Sequence, residues 1–428
     1  MVDKKFLVVF GRNPDLSINE LESYLERSGQ DYQILFRSKS FVVLSGIENL
    51  TFIKELCSSS GSILKTGEII DCINDFKQRG KSIRYSLSRI NFCDNVKERF
   101  RWGVSCYGDD DRLRLVWRAV IDRIKQEAKL LGLKASYVWP RKVRKLAYDN
   151  RFKIPLMPDD VLKKRLLDNG FEVIITYIDN NFYLWRTIGV IPLKEFNDRD
   201  FGRPFQRPAF GISPALARTM VNLSAVKKRG IAVDPFCGIG TILQEAILSK
   251  LEIRGFDIDP SCVEKSIANL LWLSNKFNLG YSRRDLEERI MVGDARTLEK
   301  YLPVGSVDYI ITEPELGPLL RKLPSIREAR SFLAEAEELY SRFLRSAEIV
   351  LTAGGRLTLT LPRIRVAKGG FLEIPNIRKL LERPRFVLLK GPIRTQQGSN
   401  SLYFFRRRFI ERELYVLKKL GNGDDLKP

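Results

Sequence analysis

The sequence contains no histidine. Imidazole is the side chain that most often acts as a general base or a metal ligand near neutral pH. Its absence therefore excludes histidine bases, histidine-ligated metals and Ser-His or Cys-His catalysis. The six cysteines are scattered along the chain and form no C-x-x-C pair. This spacing predicts no metal site and no disulfide framework, and it is typical of reduced thiols in a cytosolic protein.

Long apolar runs are also absent. The N-terminal run KFLVVF at 5–10 is too short for the core of a signal peptide. No stretch of the sequence approaches the ~20 consecutive apolar residues that span a bilayer. We therefore expect a cytoplasmic protein that has no membrane partner.

Positive charge is present in excess. The sequence has 73 Lys and Arg against 52 Asp and Glu, which gives a net charge of +21. A surplus of this size favours a polyanionic partner, most simply nucleic acid. The alternative is a generally basic composition that only serves solubility. Hydrophobic residues make up 44% of the 428 positions, which is enough for the cores of two or three domains.

The pattern of apolar residues divides the chain into five segments. We predict an α+β module over 1–95, a second α+β module over 96–190, a proline- and charge-rich linker over 191–210, a region of alternating strands and helices over 211–420, and a tail over 421–428. Strands that alternate with helices indicate a mostly parallel sheet covered on both faces.

Apolar periodicity also predicts individual elements within these segments. In the first two modules the predicted strands are 5–10, 31–37, 40–45, 101–108, 135–140 and a hairpin of 171–178 with 181–190, and the predicted helices are 15–26 and 111–132. In the last region the predicted strands are 230–234, 252–259, 289–292, 307–312 and 355–362, with a closing hairpin of 385–393 and 401–409. The predicted helices there are 241–248, 260–277 and 326–350.

Cationic residues are densest in the segment 139–153. They are Arg141, Lys142, Arg144, Lys145, Arg151 and Lys153. We expect them to contact nucleic-acid phosphates, with strong salt dependence. The aromatic neighbours Trp139, Tyr148 and Phe152 stack on bases or pack in a core, and for Trp139 we expect core packing. A solvated charged face is the alternative. The triplet at 406–408 is a weaker candidate, because alternate residues of a strand point to opposite faces.

Acidic or glycine-rich loops follow four successive predicted strands. They contain DPFCGIGT (234–241), GFDID (255–259), GDA (293–295) and EPEL (313–316). The carboxyl edge of such a sheet is where ligands bind, and glycines allow a ligand to approach the backbone closely. A turn that merely favours Asp and Gly explains one or two of these loops, but not all four in this order.

The spacing of the glycines restricts the ligand. The position three residues after Gly240 is Leu243, so the three-glycine dinucleotide fingerprint is incomplete, and no G-K-[ST] follows. An acid at Asp257 can accept hydrogen bonds from ribose hydroxyls, and one at Asp294 can accept from an adenine amino group. The combination predicts an adenosine-bearing ligand without a pyrophosphate.

These motifs resemble those of the S-adenosylmethionine-dependent class I methyltransferases. More narrowly, the chain resembles the THUMP-domain tRNA guanine-N2 methyltransferases of the guanosine-10 type. The resemblance extends over nearly the whole chain: residues 6–22 are similar to the family's ferredoxin-like module, residues 161–190 to part of a THUMP domain, and residues 207–226 to the segment that precedes the methyltransferase core.

The resemblance implies an α/β fold in which a Rossmann-like class I methyltransferase domain follows a ferredoxin-like module and a THUMP-like domain. It implies S-adenosylmethionine as cofactor and tRNA as partner, and it makes the basic segment a candidate RNA contact. Some relatives work with a small zinc-binding activator subunit, which is a second candidate partner. The implied cofactor-binding residues are Asp234, Phe236, Cys237, Gly238, Gly240, Thr241, Asp257, Ile258, Asp294, Ala295, Ser213 and Pro214. For Pro214 a helix start, and for Phe236 core packing, are equally compatible with the sequence.

The catalytic motif departs from the family pattern. The usual motif is Asp/Asn-Pro-Pro-Tyr/Phe, whereas this chain has Glu313-Pro314-Glu315-Leu316. In the usual motif a side-chain oxygen and a backbone carbonyl accept the two hydrogens of the guanine amine, and the aromatic residue stacks on the base. We take Glu313, Pro314 and Glu315 as catalytic candidates; a solvated strand end is the alternative for both acids. An error near 1 Å in the acceptor costs about a hundredfold in rate.

The altered motif leaves three explanations open: another group repositions the base, the substrate differs, or the domain binds cofactor and RNA without efficient chemistry. We therefore predict a tRNA methyltransferase that acts on the exocyclic N2 of a guanosine. The alternatives are a non-catalytic tRNA-binding protein that retains a cofactor fold and a DNA amino-methyltransferase. The THUMP-like module argues against the latter.

Overall fold

The computed structural model describes residues 4–74, 81–108, 112–139, 155–206, 211–224, 229–382, 385–395 and 409–421. The chain forms two compact units. The first consists of Met1–Pro14 and Gln30–Lys194, and the second of Asp15–Gly29 and Glu195–Pro428. Among the described residues, no helix combines the length and the apolar character needed to cross a bilayer.

The strands are β1 Phe6–Phe10, β2 Gln33–Arg37, β3 Phe41–Ser45, β4 Ile63–Asn74, β5 Arg99–Tyr107, β6 Lys134–Tyr137, β7 Gly170–Ile178, β8 Asn181–Val190, β9 Ile231–Asp234, β10 Glu252–Asp257, β11 Ile290–Val292, β12 Val307–Thr312, β13 Leu351–Arg365, β14 Phe371–Leu372, β15 Phe386–Thr395 and β16 Ile410–Lys419. The helices are α1 Pro14–Ser28, α2 Leu50–Ser59, α3 Lys81–Ser88, α4 Leu113–Leu130, α5 Pro158–Lys163, α6 Leu193–Phe201, α7 Pro214–Ser224, α8 Thr241–Leu248, α9 Pro260–Phe277, α10 Arg283–Glu287, α11 Ile326–Val350 and α12 Ile377–Glu382. A 3₁₀ helix spans Ala295–Lys300.

The first unit contains one mixed sheet in the order β2-β3-β1-β4-β8-β7-β5-β6. The long strands β4 and β8 pair antiparallel from Lys65 opposite Val190 to Asn74 opposite Asn181. This pairing joins the strands of the two predicted α+β modules into one sheet. The strand β4 was not predicted, because its apolar residues are interrupted by glycine and charged residues and show no regular alternation.

The predicted hairpin of β7 and β8 is confirmed. Its two connecting residues, Asp179 and Asn180, have φ values of 47° and 64°. A two-residue connection with both residues in the left-handed region matches the right-handed twist of the paired strands, and Asp and Asn tolerate this region better than most residues. The local sequence therefore sets the turn and the register of this hairpin.

The second unit contains a sheet in the order β11-β10-β9-β12-β13-β16-β15, with β14 pairing to β13. The first five strands of this order pair in parallel, and β16 is antiparallel to both of its neighbours. Strand order reverses between β9 and β12, which makes their carboxyl ends a topological switch point. This is the predicted mostly parallel sheet.

Helices cover both faces of this sheet. Ala232 and Val233, which are successive residues of β9, lie in different core clusters, as expected from the alternation of a strand. The cluster of Val233 contains Phe343 of α11, and that of Ala232 contains Leu243 of α8 and Leu270 of α9. The predicted helices at 241–248, 260–277 and 326–350 are confirmed with these bounds.

The closing hairpin differs from the prediction. The strand β15 confirms the first arm, but its described partner is Ile410–Lys419 rather than 401–409. Residues 401–408, which include the cationic triplet at 406–408, lie outside the described residues, as do residues 422–428 of the predicted tail.

For two helices, the sequence did not indicate what they pack against. The predicted helix at 15–26 is confirmed as α1, but Leu16 lies in the core of the second unit, and Asn222 Nδ2 donates to Glu20 Oε1 at 2.7 Å. Residues 193–201 of the expected linker form α6, whose Arg199 is buried against Glu245 at 2.7 Å. Periodicity identifies a helix, but it does not identify what the helix packs against.

Candidate active site

The ends of β9, β10 and β12 meet at the switch point of the second sheet. In the parallel pairing Gly255 lies opposite Asp234, and Tyr309 lies opposite Ala232. The motif loops that follow these strands therefore emerge at one edge of the sheet, as the sequence predicts. The loop after β11 emerges beside them, because β11 pairs in parallel with β10.

The glycine loop after β9 has two different glycines. Gly240 has φ 83° and precedes α8, and a Cβ there would lie 2.5 Å from Ser266 Oγ. Gly238 has φ 51°, and no described atom lies within 4 Å of the place where its Cβ would be. Gly240 thus allows α8 to pack closely on α9, whereas Gly238 leaves open space beside the backbone. That space is suited to a ligand.

Asp234 is buried at the end of β9, with 2% of its surface exposed. Its Oδ1 accepts hydrogen bonds from Thr312 Oγ1 at 2.7 Å and from the backbone N–H of Phe236 at 3.2 Å. Burial raises the pKa of Asp234 to about 7, although these two hydrogen bonds oppose the increase. The negative charges of Asp257 and Glu313 also raise the pKa of Asp234. A cationic group of a ligand near this carboxylate would favour its charged form.

Asp257 ends β10 and is tied to the glycine loop. Its Oδ2 accepts from the backbone N–H of Gly238 at 2.8 Å, and its Oδ1 accepts from that of Asp259 at 3.0 Å. Each oxygen therefore keeps acceptor capacity for a further donor such as a hydroxyl. Ile258 follows with 68% of its surface exposed, so an apolar side chain lies beside the acid.

Asp294 is engaged by its own loop. Arg296 forms a bidentate pair with its carboxylate, with Nε 2.9 Å from Oδ1 and Nη2 2.7 Å from Oδ2. The hydrogen bond from Arg296 lowers the pKa of Asp294. The neighbouring Ala295 is buried in the core. An adenine amino group would have to share this carboxylate with Arg296.

Several predicted cofactor residues have clear structural contacts. Ser213 caps α7, since its Oγ accepts from the backbone N–H of Leu216 at 3.3 Å, and the buried Pro214 is the first residue of that helix. Phe236 packs edge-on against Phe343 with ring centroids 5.3 Å apart. Cys237 is buried, and burial raises the pKa of its thiol well above its usual value. These contacts agree with the structural alternatives for Pro214 and Phe236.

Thr241 and the helix that it begins contact buried arginines that the sequence did not indicate. Its Oγ1 accepts from Arg203 Nη1 at 3.0 Å. Close by along α8, the buried Glu245 accepts from Arg199 at 2.7 Å and pairs with Arg218 at 2.8 Å. Arginines from α6, α7 and the segment after α6 thus hold the start of α8, which carries the glycine loop. These arginines lie in the expected linker and in α7, and the local sequence pattern does not show that they pair with residues of α8.

Glu313 follows β12 and is held by Arg412 of β16. Arg412 Nη2 lies 2.8 Å from Oε1, and its Nε lies 2.5 Å from Oε2. Oε2 also accepts from Thr360 Oγ1 at 3.3 Å. Burial by itself lowers the pKa of Arg412, but the charge and hydrogen bonds of Glu313 outweigh it and raise that pKa. Arg412 was missed because it lies 99 residues away, on a strand that the sequence did not predict.

The rest of the EPEL motif is divided between core and surface. Pro314 is buried and the side chain of Glu315 is exposed, while the Glu315 carbonyl accepts from Tyr340 Oη at 2.5 Å. Leu316 is 1% exposed and belongs to the core cluster that contains Tyr340. The position of the family's stacking aromatic residue therefore faces the core in this chain.

The predicted RNA-binding cations, Arg141, Lys142, Arg144, Lys145, Arg151 and Lys153, lie outside the described residues. The described neighbour Trp139 is 63% exposed and packs edge-on against Tyr137, with ring centroids 4.8 Å apart. Its exposure contradicts the expectation that it packs in the core.

Residues 201–369 match the family model described as UPF0020: RMKL-like, methyltransferase domain. The tRNA (guanine(10)-N2)-dimethyltransferase of Methanothermobacter thermautotrophicus is 37% identical over 191 residues, which is 43% of this chain and 48% of that protein. The enzyme of the same name from Pyrococcus abyssi is 31% identical over 44% of this chain and 50% of that protein. The chain thus spans about half the length of the curated relatives it matches.

Two solved structures share the fold along nearly the whole chain. TrmN from Thermus thermophilus aligns with a TM-score of 0.54 at 17% identity, covering 97% of this chain and 100% of that one. A possible methylase from Clostridium difficile aligns with a TM-score of 0.50 at 13% identity, covering 99% of each chain. They support the predicted class I methyltransferase architecture. Residues 201–369 are thus similar to the RMKL-like methyltransferase domain, and the curated relatives named here are tRNA (guanine(10)-N2)-dimethyltransferases, the kind of enzyme that the motifs of this chain resemble.

Proposed function

We propose that the chain transfers a methyl group from S-adenosylmethionine to the exocyclic N2 of a guanosine in tRNA. The observation that carries this proposal is the meeting of the glycine loop, Asp234, Asp257 and the Thr312–Glu313 strand end at one switch point. The names of the sequence relatives supply the substrate class.

The residues present fit S-adenosylmethionine. Gly238 leaves space for a ligand, Asp257 keeps acceptor capacity for ribose hydroxyls, and the buried Asp234 suits the cationic α-amino group of the methionine part. When bound, S-adenosylmethionine supplies an electrophilic methyl on a sulfonium, whose sulfur keeps the bonding pair after transfer. We assign Asp234, Gly238 and Asp257 to this cofactor, with Ile258 beside the adenosine.

Glu313 is the residue of this chain that acts on the nucleophile. The lone pair of the guanine amine is delocalised into the ring, so the amine reacts poorly unless acceptors for its hydrogens localise that pair. The Glu313 carboxylate and a backbone carbonyl of the EPEL segment provide these acceptors, and Pro314 fixes the turn between them. The nitrogen forms the new N–C bond in line with the breaking S–C bond, and one of its hydrogens leaves as a proton to water.

The charge of the chain supports tRNA as substrate. The net charge of +21 favours a polyanion, and Arg141, Lys142 and Arg144 with their basic neighbours provide phosphate contacts. We propose that residues 1–190 dock the tRNA and that residues 211–420 carry the chemistry, in the cytoplasm. The match at 201–369 supports this division. A small zinc-binding activator subunit is a candidate partner.

One observation favours a second function, a binding protein without chemistry. Arg412 engages both oxygens of Glu313, and Leu316 replaces an aromatic residue with a core side chain. If the carboxylate has only a structural role, cofactor and tRNA bind without transfer.

Methyl transfer from labelled S-adenosylmethionine to unmodified total tRNA, followed by nucleoside analysis, tests the proposal. We expect label in N2-methylguanosine or N2,N2-dimethylguanosine. Label in another nucleoside would refute the guanine-N2 assignment. An absence of label in the presence of cofactor binding, with and without extract that supplies an activator, would support the binding-only function.

A further inference from the structure

The carboxylate of Glu313 has unequal acceptor capacity at its two oxygens. Oε2 accepts from both Arg412 Nε and Thr360 Oγ1, whereas Oε1 accepts only from Arg412 Nη2 among the described residues. A carboxylate offers roughly four lone-pair sites, two on each oxygen. Oε2 is therefore saturated, and one site remains on Oε1.

The pair is also shielded from water. The side chains of Arg412 and Glu313 are 12% and 15% exposed. A bidentate guanidinium fixes the plane of a carboxylate as well as its position, which a single-donor ammonium does not do. Glutamate has one methylene more than the aspartate of the family motif, so it needs such a restraint if its oxygen is to stay in one place.

From this geometry we propose that Arg412 is a positioning residue: it fixes Glu313 so that Oε1 is the acceptor for one hydrogen of the substrate amine. The inference deepens the proposed function and rests on it. The amine nitrogen forms its bond to the methyl carbon as the S–C bond breaks. The bonding pair stays on sulfur, and one amine hydrogen leaves as a proton to water. Arg412 does not contact the reacting atoms.

The conservative variant Arg412→Lys tests the restraint while it keeps the buried positive charge. We expect kcat to fall about tenfold to a hundredfold, because a misplacement near 1 Å costs about a hundredfold. The KM values for tRNA and S-adenosylmethionine should stay unchanged, since binding groups are intact. Arg363→Lys is the matched control: Arg363 is 20% exposed and paired with Glu373 and Glu411 on the same sheet, and its kcat should equal that of the wild type.

A double-mutant cycle separates positioning from a general structural role. Arg412→Met should lower kcat when it is introduced alone. In a protein that already carries Glu313→Ala it should have no further effect, because the side chain that Arg412 positions is then absent. Thermal unfolding of all four proteins identifies any variant that fails to fold, and the lysine variant still tests the inference in that case.

The outcomes distinguish the inference from the proposed function. Equal kcat values for Arg412→Lys and Arg363→Lys, or losses that add in the cycle, would overturn the role of Arg412 and leave the enzyme assignment intact. A wild-type protein that methylates no guanine N2 would overturn both.

Discussion

Thr312 Oγ1 donates a 2.7 Å hydrogen bond to Oδ1 of the buried Asp234, and this bond joins the ends of β12 and β9 at the switch point. It connects the strand that carries the EPEL motif to the strand that carries the glycine loop. The hydrogen bond also counteracts the increase in the pKa of Asp234 that burial causes. A single hydroxyl thus links the strand end that we propose binds the cofactor to the strand end that we propose carries the catalytic acid.

We predict that Thr312→Val lowers the free energy of unfolding by about 1 kcal/mol, the usual value of one hydrogen bond. The pKa of Asp234 should rise further, and the affinity for S-adenosylmethionine at pH 7 should fall by up to about tenfold. Calorimetric titration measures the affinity. The control is Thr219→Val, since the buried Thr219 donates to the Ala215 carbonyl and not to a carboxylate. Equal affinity losses in the two variants would contradict the role of the Thr312 bond.

The pKa of Asp234, about 7 because of burial, predicts a pH dependence of stability. The folded state binds this proton more tightly than the unfolded state does. The contribution to stability is therefore fully present below the unfolded pKa and is lost as pH rises toward 7, at about 1.4 kcal/mol per pH unit. Asp234→Asn should remove this slope. Denaturant unfolding between pH 4 and 8 measures it, and equal slopes in wild type and variant would contradict the assignment.

The same group predicts that S-adenosylmethionine binds more tightly as pH rises from 6 to 8. A ligand ammonium favours the ionised carboxylate, so binding below the pKa must release a proton. Calorimetry in two buffers of different ionisation enthalpy counts that proton. We expect proton release in the wild type and none in Asp234→Asn. Proton uptake by the wild type would show that the cation does not lie beside Asp234.

Gly238→Ala should weaken cofactor binding by more than tenfold, because a Cβ there would occupy the ligand space. The positive φ of 51° adds about 1–2 kcal/mol of backbone strain. Gly280→Ala is a matched control, since Gly280 has φ 81° and also has no described atom within 4 Å of its Cβ position. The two variants should lose similar stability, and only Gly238→Ala should lose cofactor affinity. An affinity loss shared by both would mean that strain alone explains it.

Arg144→Gln/Lys145→Gln should weaken tRNA binding and leave S-adenosylmethionine binding unchanged. Each phosphate contact that is lost should reduce the slope of log K against log salt by about one. Fluorescence titration of tRNA at several salt concentrations measures this slope. Arg327→Gln/Arg330→Gln removes two exposed cations from α11 as a control. A slope that changes equally in both variants would indicate a general charge effect.

The local sequence predicts those features of the candidate site that lie within a single strand end and the loop after it. The loop from Asp234 to Thr241 carries its own glycines, and the four strand ends follow from alternation of strand and helix. The pairing of Arg412 with Glu313 was not predictable, because it depends on an antiparallel strand placed beside β13 by the fold. The same holds for the arginines that hold α8 and for the place of α1 within the core of the second unit. The pairing of Asp294 with Arg296 lies within one loop, but the strand-end motif predicted an adenine contact for this carboxylate rather than an ion pair.

If Glu313 supports methyl transfer to guanine, as we propose, removing its carboxylate must slow the reaction. The direct test is the single-turnover rate of labelled methyl transfer to tRNA by the wild type and by Glu313→Ala, at saturating cofactor and with equal tRNA and cofactor affinities established beforehand. We predict that the variant is slower by at least about a hundredfold. Equal rates in the two proteins would contradict the account and would place the acceptor on another residue.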